Sequence, residues 1–389
     1  MADADSRASR GAHAADGAVT RDDFAAPPSR VGLATVTRRP GADGVAYVGR
    51  LLHSALGDLA GRAPWTVDLD AERAGLLTRT ERARFAARIA VGQLTQRFDL
   101  LLYNHPGIAA AHRLVPAPLR TPYGVFVHGI EVWGRAMSES QTQTLREAAI
   151  VLSNSEYTAR RVMLESPRAG PVLACRLALL PHVAASTDPV DDALLNRVGA
   201  RSVLIAGRMS AAERYKGHDQ LLDVWPEVRR RVPTAQLVVV GGGDDAERLA
   251  AKARDLGLAA DAVVFGGRVS DGTLAALFSR TRAFAMPSRG EGFGLVYLQA
   301  MRAGKPCLGS SDDAAGDIIV HGETGFLVAQ RDAGATIEAL ETLLTNDALA
   351  ERLGGAGRAR FEREFTYERF VDRLGAALRA PDRRVAEAA

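Results

Sequence analysis

Short runs of four to six mostly apolar residues recur along the chain, each followed by a glycine or polar turn and then by apolar positions at helical spacing. Val31-Gly32-Leu33-Ala34-Thr35-Val36, Asp99-Leu100-Leu101-Leu102-Tyr103, Tyr123-Gly124-Val125-Phe126-Val127 and Ile150-Val151-Leu152-Ser153 read as buried strands, with a helix over Val45 to Leu59. A second alternation starts at Ser202-Val203-Leu204-Ile205-Ala206. It continues through Gln236 to Val240, Ala262 to Phe265, Ala283 to Met286 and Pro306 to Leu308. Strands that alternate with helices predict parallel sheets covered on both faces. The pattern therefore predicts an α/β chain of two Rossmann-like, doubly wound domains facing a central cleft. Ligands in such sheets sit outside the carboxyl ends of the strands, in the turns after them.

The boundaries follow from breaks in this pattern. Residues 1–29 hold five acids, three arginines and mostly small residues, too little apolar surface to offset ordering, and read as a disordered tail. Residues 30–183 form the first domain, 184–200 a polar linker and 201–361 the second domain. No apolar run approaches the roughly 18 residues of a membrane span, and the first 30 residues lack a signal-peptide core, so a cytoplasmic location is expected. Cys175 and Cys307 exclude a disulfide framework and a cysteine-built zinc site. A net charge of +3 argues against a general nucleic-acid partner. The first domain, with 19 arginines against 12 acids, would favour an anionic partner such as the inner membrane surface or a pyrophosphate-linked acceptor. A solvated arginine-rich surface fits that surplus equally well.

Two segments concentrate chemistry. Gly207-Arg208 through Lys216-Gly217-His218 closes a strand and sets two cations eight residues apart: a planar fork and a compact point charge, together suited to a diphosphate. Ser288-Arg289-Gly290-Glu291-Gly292-Phe293-Gly294-Leu295 opens a helix through Met301, with free amides for phosphate and Glu291 placed for sugar hydroxyls. Each alone reads as readily as a solvated turn or a capped helix start. Their occurrence in one domain favours a ligand site.

These pieces resemble the donor-binding domain of the retaining family-4 glycosyltransferases, whose two Rossmann-like domains form the GT-B fold. The resemblance runs from Gly207 through Val238-Val239-Val240-Gly241-Gly242-Gly243, Val264-Phe265-Gly266-Gly267-Arg268-Val269, Met286-Pro287-Ser288 and Glu291-Gly292-Phe293-Gly294 to Gly322-Glu323-Thr324-Gly325-Phe326-Leu327-Val328. It implies a nucleotide-sugar donor and a glycan or lipid-linked acceptor, with no cofactor. Arg208 and Lys216 would hold the diphosphate, Glu291 the sugar hydroxyls, and the amides of Phe293, Gly294 and Leu295 the sugar or phosphate. The backbone around Arg268 and Val269 would meet the base, Gly44 would lie under the diphosphate, and His128 would face the reacting sugar. A C-terminal helix at about 362–380 would return to the first domain. No metal-holding Asp-x-Asp motif occupies these segments, so metal-independent transfer is implied.

One position departs from the family. A second glutamate usually follows eight residues after the first, on the same helix face, to accept both ribose hydroxyls; here it is Gln299. An amide keeps one acceptor and loses the charge-assisted part, an increment on the order of 1 kcal/mol. That substitution keeps a non-catalytic nucleotide-binding or scaffolding subunit as the alternative. An epimerase or phosphorylase on a similar fold fits less well, since Lys305 lacks the setting of a pyridoxal-bearing lysine. The lean within the family is toward polysaccharide-building enzymes, several of which use GDP-mannose, with UDP-sugars also in range. The basic helix from Arg79 to Arg97, with Arg82, Arg84 and Arg88 beside Phe85 and Ile89, could rest on an anionic membrane surface but reads more readily as a cover for the sheet, and His105 and His112 have no partners at metal spacing.

Overall fold

The computed structural model describes residues 30–39, 44–69, 78–133, 137–181 and 188–379. The tail expected over 1–29 and part of the linker expected over 184–200 lie outside them. The first half runs β1 (Val31–Thr35), α1 (Gly44–Ala60), β2 (Thr66–Asp68), α2 (Arg79–Leu94), β3 (Leu100–Tyr103), β4 (Tyr123–Val127), α3 (Glu139–Glu147), β5 (Ile150–Ser153), α4 (Glu156–Glu165) and β6 (Val172–Ala174). After α5 (Asp192–Leu195) come β7 (Ser202–Ala206), α6 (His218–Arg231), β8 (Gln236–Val240), α7 (Ala246–Asp255), β9 (Val263–Gly267), α8 (Asp271–Arg280) and β10 (Ala283–Ala285). The chain continues through α9 (Leu295–Arg302), β11 (Cys307–Ser310), α10 (Ala315–Ile318), β12 (Gly325–Val328), α11 (Ala333–Thr345), α12 (Asp347–Glu364) and α13 (Tyr367–Arg379).

The strands form two six-stranded parallel sheets, ordered β2-β1-β3-β4-β5-β6 and β12-β11-β10-β7-β8-β9. The strand order reverses between β1 and β3 in one sheet and between β7 and β10 in the other, which opens a crevice at each sheet's carboxyl rim. Central strands are apolar throughout because helices cover both faces: β4, β5, β7 and β8 are buried at every residue. α2 covers the first sheet with Phe85 and Ile89. Its start is secured by a capping box in which Thr78 and Glu81 satisfy each other's backbone N–H groups.

Two expectations change. The polar stretch before β7 is not a plain linker, since it holds α5, capped by Asp191, and buries Leu194 and Val198. The C-terminal helix expected at about 362–380 starts later, at Tyr367, because α12 runs on to Glu364. Buried Phe365 ends α12, and the Thr366 hydroxyl accepts from the Arg369 N–H at the start of α13. This break turns the chain back to the first domain, where Tyr367 donates to Asp58 on α1 at 2.7 Å and Arg373 donates to the Arg176 carbonyl at 2.8 Å. Phe370, Leu374 and Leu378 of α13 join the apolar cluster that holds Leu52, Ala55 and Leu56 of α1.

Candidate active site

The two carboxyl rims face each other across a cavity of about 380 Å³. Gly44, Val48, His128, Glu131 and Asn154 line it from the first domain, and Arg208, Glu213, Tyr215, Lys216, Glu291, Phe293, Gly294 and Leu295 from the second. Eight of the residues singled out in the sequence are thus brought together: Gly44, His128, Arg208, Lys216, Glu291, Phe293, Gly294 and Leu295. Arg268, Val269 and Gln299 do not line it. Arg268 is exposed on the turn after β9 and lies beside Gly242; Val269 is half-buried next to it. Gln299 is half-buried about one turn along α9.

The cationic side is built by the turn after β7. Arg208 pairs with Glu213 at 2.5 Å, and Lys216 lies 3.8 Å from the other Glu213 oxygen and 3.2 Å from Glu291. Two short helical turns over Ala211–Lys216 meet at Glu213, which departs from helical dihedrals at φ −120° and ψ 26°. Burial works against the charge on Lys216. Glu291, Tyr215 and Glu213 outweigh it and raise its pKa above the ordinary lysine value. Next to it, burial and the Lys216 charge push His218 down to about 4, so that ring is neutral at pH 7. Two acids therefore compensate two cations, a charge balance that an incoming diphosphate would redistribute.

The turn after β10 supplies the opposite wall. Gly294 takes a left-handed φ of 94°, and α9 starts there without a side-chain cap, which leaves its first amides to whatever fills the cavity. The turn is tied down from below by Asp313, which is 3% exposed. Asp313 accepts from the Ser288 hydroxyl at 2.5 Å, from the Glu291 N–H at 3.1 Å and from the Ala315 N–H at 3.0 Å. Burial pushes its pKa up to about 6, against those three hydrogen bonds. A carboxyl whose folded pKa is raised adds stability below its unfolded value of 3.8, and that increment is lost as pH rises through about 6. The stability of the wild-type chain relative to Asp313→Asn is therefore expected to fall by about 2 kcal/mol between pH 4 and pH 7. Urea melts of both proteins across that range check it, and a flat difference would show that Asp313 does not titrate there.

On the first domain, His128 follows β4. Its Nε2–H donates to the Asn104 carbonyl at 2.6 Å, which leaves Nδ1 as the other polar atom of the ring. The His128 N–H donates to Glu131, and the Asn154 amide donates to the His128 carbonyl at 2.6 Å. Asn104 also accepts from the Val36 N–H and donates to the Val45 carbonyl, joining the β1 turn to α1. At this point the domains touch: a Cβ on Gly292 would lie 1.8 Å from the His128 carbonyl oxygen. Cross-domain bonds flank the contact, with the Tyr157 N–H at the start of α4 donating to Asp317 at 2.8 Å and the Tyr157 hydroxyl to the Asp312 carbonyl at 3.1 Å.

Glu213, Asp313, Asn104 and Asn154 were not singled out in the sequence. Each follows a strand, as a ligand-end residue should, but its partners are set by the fold. His112 is a core group: it bonds the Tyr103 hydroxyl at 3.0 Å and the Thr121 carbonyl at 2.8 Å. Among the described residues no three His, Cys, Asp or Glu side chains are grouped to hold a metal ion, and no helix is long and apolar enough to cross a membrane.

Residues 196–360 match the family described as Glycosyl transferases group 1. A GDP-mannose-dependent alpha-(1-6)-phosphatidylinositol monomannoside mannosyltransferase of Mycobacterium tuberculosis is 36% identical over 169 residues, 42% of this chain and 43% of that protein. Its namesake from Mycolicibacterium smegmatis is 33% identical over 251 residues, 59% of this chain and 63% of that protein. The chain thus spans less than half the length of the first relative and under two thirds of the second. Among solved structures, sucrose-phosphate synthase from Thermosynechococcus elongatus superposes with a TM-score of 0.73 at 23% identity, covering 92% of this chain and all of that one. Anabaena HepE in complex with UDP gives 0.70 at 16% identity, covering 90% and 99%. At these identities the structural likeness is one of fold, and the fold is GT-B.

Proposed function

From the premise that residues 196–360 form a glycosyl transferases group 1 domain on a GT-B fold, we propose that this protein transfers a sugar, with retention, from a nucleotide-diphosphate sugar to an acceptor hydroxyl. The observation that carries this reading is the convergence of Arg208, Lys216, Glu291, His128 and the uncapped start of α9 on one cavity between the two sheets. Residues 201–361 would bind the donor, and residues 30–183 the glycan or lipid-linked acceptor.

The bond between the anomeric carbon and the diphosphate oxygen breaks, the acceptor oxygen bonds to that carbon on the same face, and the acceptor proton passes to the departing diphosphate. Negative charge grows on the leaving group as this happens. Arg208 and Lys216, exchanging their Glu213 and Glu291 partners for the diphosphate, and the α9 amides would stabilise that charge. Glu291 accepts from sugar hydroxyls while compensating Lys216, and His128 presents Nδ1 toward the sugar. The nucleoside extends past the cavity toward Gln299 and the backbone at Arg268 and Val269. The names of the mycobacterial relatives support GDP-mannose as donor and a lipid-linked acceptor. Release of GDP, UDP or ADP from a panel of nucleotide sugars with acceptor present tests the reading. No release from any donor, with nucleotide still bound, would favour a non-catalytic binding subunit.

Gln299 offers a graded test of nucleoside placement. Gln299→Glu is expected to tighten the nucleoside diphosphate product about three- to tenfold, through a charge-assisted bond to the ribose. Calorimetry giving unchanged or weaker affinity would remove Gln299 from the nucleoside site.

A further inference from the structure

A second cavity, of about 480 Å³, opens in the first domain between α2 and the 3-10 segment Pro106–Leu114 that follows β3. Its volume is within the range of small-ligand sites. Val36, Leu69, Phe85 and Ile108 give it carbon walls, and Arg82 and His105 are its charged and polar members. Val36, Leu69 and His105 come within two residues of the ends of β1, β2 and β3, so the cavity lies on the same carboxyl rim of the sheet as the donor cavity. The two are joined by a pair of rings: His105 stacks on His128 with 6.2 Å between centroids and 21° between planes, and His128 lines the donor cavity.

The lining restricts what fits. A free sugar would exchange its water shell for carbon walls and leave hydroxyls without partners, a costly burial. An alkyl or prenyl chain would not. Arg82 is exposed and pairs with no carboxylate among the described residues, so it adds a positive charge at the same place. Carbon walls with one such guanidinium complement an amphiphile with an apolar chain and a phosphate-type head.

We propose that this cavity seats the apolar chain of the acceptor, a lipid phosphate or lipid pyrophosphate whose head is held by Arg82 and whose hydroxyl is carried past His105 to His128. The proposal rests on the glycosyl-transfer reading for the hydroxyl's fate, though not for the binding itself. Calorimetric titration of the full chain with decyl phosphate below its micelle concentration, beside decanol and inorganic phosphate, tests the binding. Decyl phosphate is expected to bind about tenfold or more tightly than either control, because it alone uses both walls and charge. Ala86→Trp, filling the cavity from a half-buried position on α2, is expected to lose decyl phosphate by about tenfold, with the melt and nucleotide binding reporting an intact fold. Arg82→Gln is expected to weaken decyl phosphate about three- to tenfold and to leave decanol unchanged.

Equal decyl phosphate affinity in wild type and Ala86→Trp would overturn the proposal, as would inorganic phosphate binding as tightly as decyl phosphate. Absence of nucleoside diphosphate release from every donor, with decyl phosphate binding still sensitive to Ala86→Trp, would overturn the transfer reading and support the cavity.

Discussion

Lys216→Arg is expected to lower kcat by about 30- to 100-fold although the charge is kept, a loss at or below the lower end of that for removing one preorganised donor from an active site. The Lys216 ammonium sits 3.2 Å from Glu291 and 3.8 Å from Glu213, on the Tyr215 ring at 5.4 Å, with only 16% of its side chain exposed. A guanidinium is longer and planar and directs its donors along a fork, so it cannot occupy the apex between two carboxylates without displacing one of them. Displacing Glu291 would misplace the group assigned to the sugar. Elsewhere this chain uses arginine almost everywhere that a cation is needed, with 46 arginines against lysines at 216, 252 and 305 only. Steady-state nucleotide release, with circular dichroism as the folding control, measures the effect. Turnover within twofold of wild type would show that a point charge at this position is not required.

Gly292→Ala is expected to cost about 100-fold in turnover, the penalty of an ångström-scale misplacement of reacting groups. Its Cβ would fall 1.8 Å from the His128 carbonyl oxygen and 3.2 Å from the Gly129 Cα, both backbone atoms of the opposite domain. Backbone cannot swing aside as a side chain tip can, so the two rims must part and His128 must retreat from the donor groups. Stability should suffer far less, with overpacking of about 1–3 kcal/mol. Gly290→Ala is the matched control, since its Cβ would meet nothing nearer than 3.7 Å. If both variants turn over alike, the contact between the domains does not set the reacting geometry.

The legible part of the fold was the set of central strands, because a parallel strand covered on both faces must be a continuous apolar run, as Ile150 to Leu152 and Leu237 to Val240 are. The edge strands β2 and β6, three residues each, carry too few apolar positions to stand out from turns. The division of the last helix at Phe365 was hidden for a related reason. Phe365 and Phe370 both continue an apolar stripe, and only the Thr366 cap with the return to α1 explains the break.

In the site, Arg208, Lys216 and Glu291 were readable from residue type and position after strands. Glu213 stood in the same stretch, yet it pairs with both cations from the junction of two short turns, outside helical geometry. Asp313 and Asn104 were harder, because their hydrogen bonds reach 22 and 68 residues along the chain, and no local pattern encodes such a pair.

The docking of α13 on α1 also orders the birth of the molecule. The α1 surface that receives Phe370 and Leu374 leaves the ribosome about 300 residues before they do. At roughly 5–20 residues per second, that interval is on the order of 15–60 s. Throughout it, the nascent first domain carries an uncovered greasy stripe around Leu52 and Leu56, a natural docking place for a chaperone. A polypeptide released before Tyr367 would never cover that stripe, so premature termination near the end of translation should produce aggregation from the opposite end of the chain.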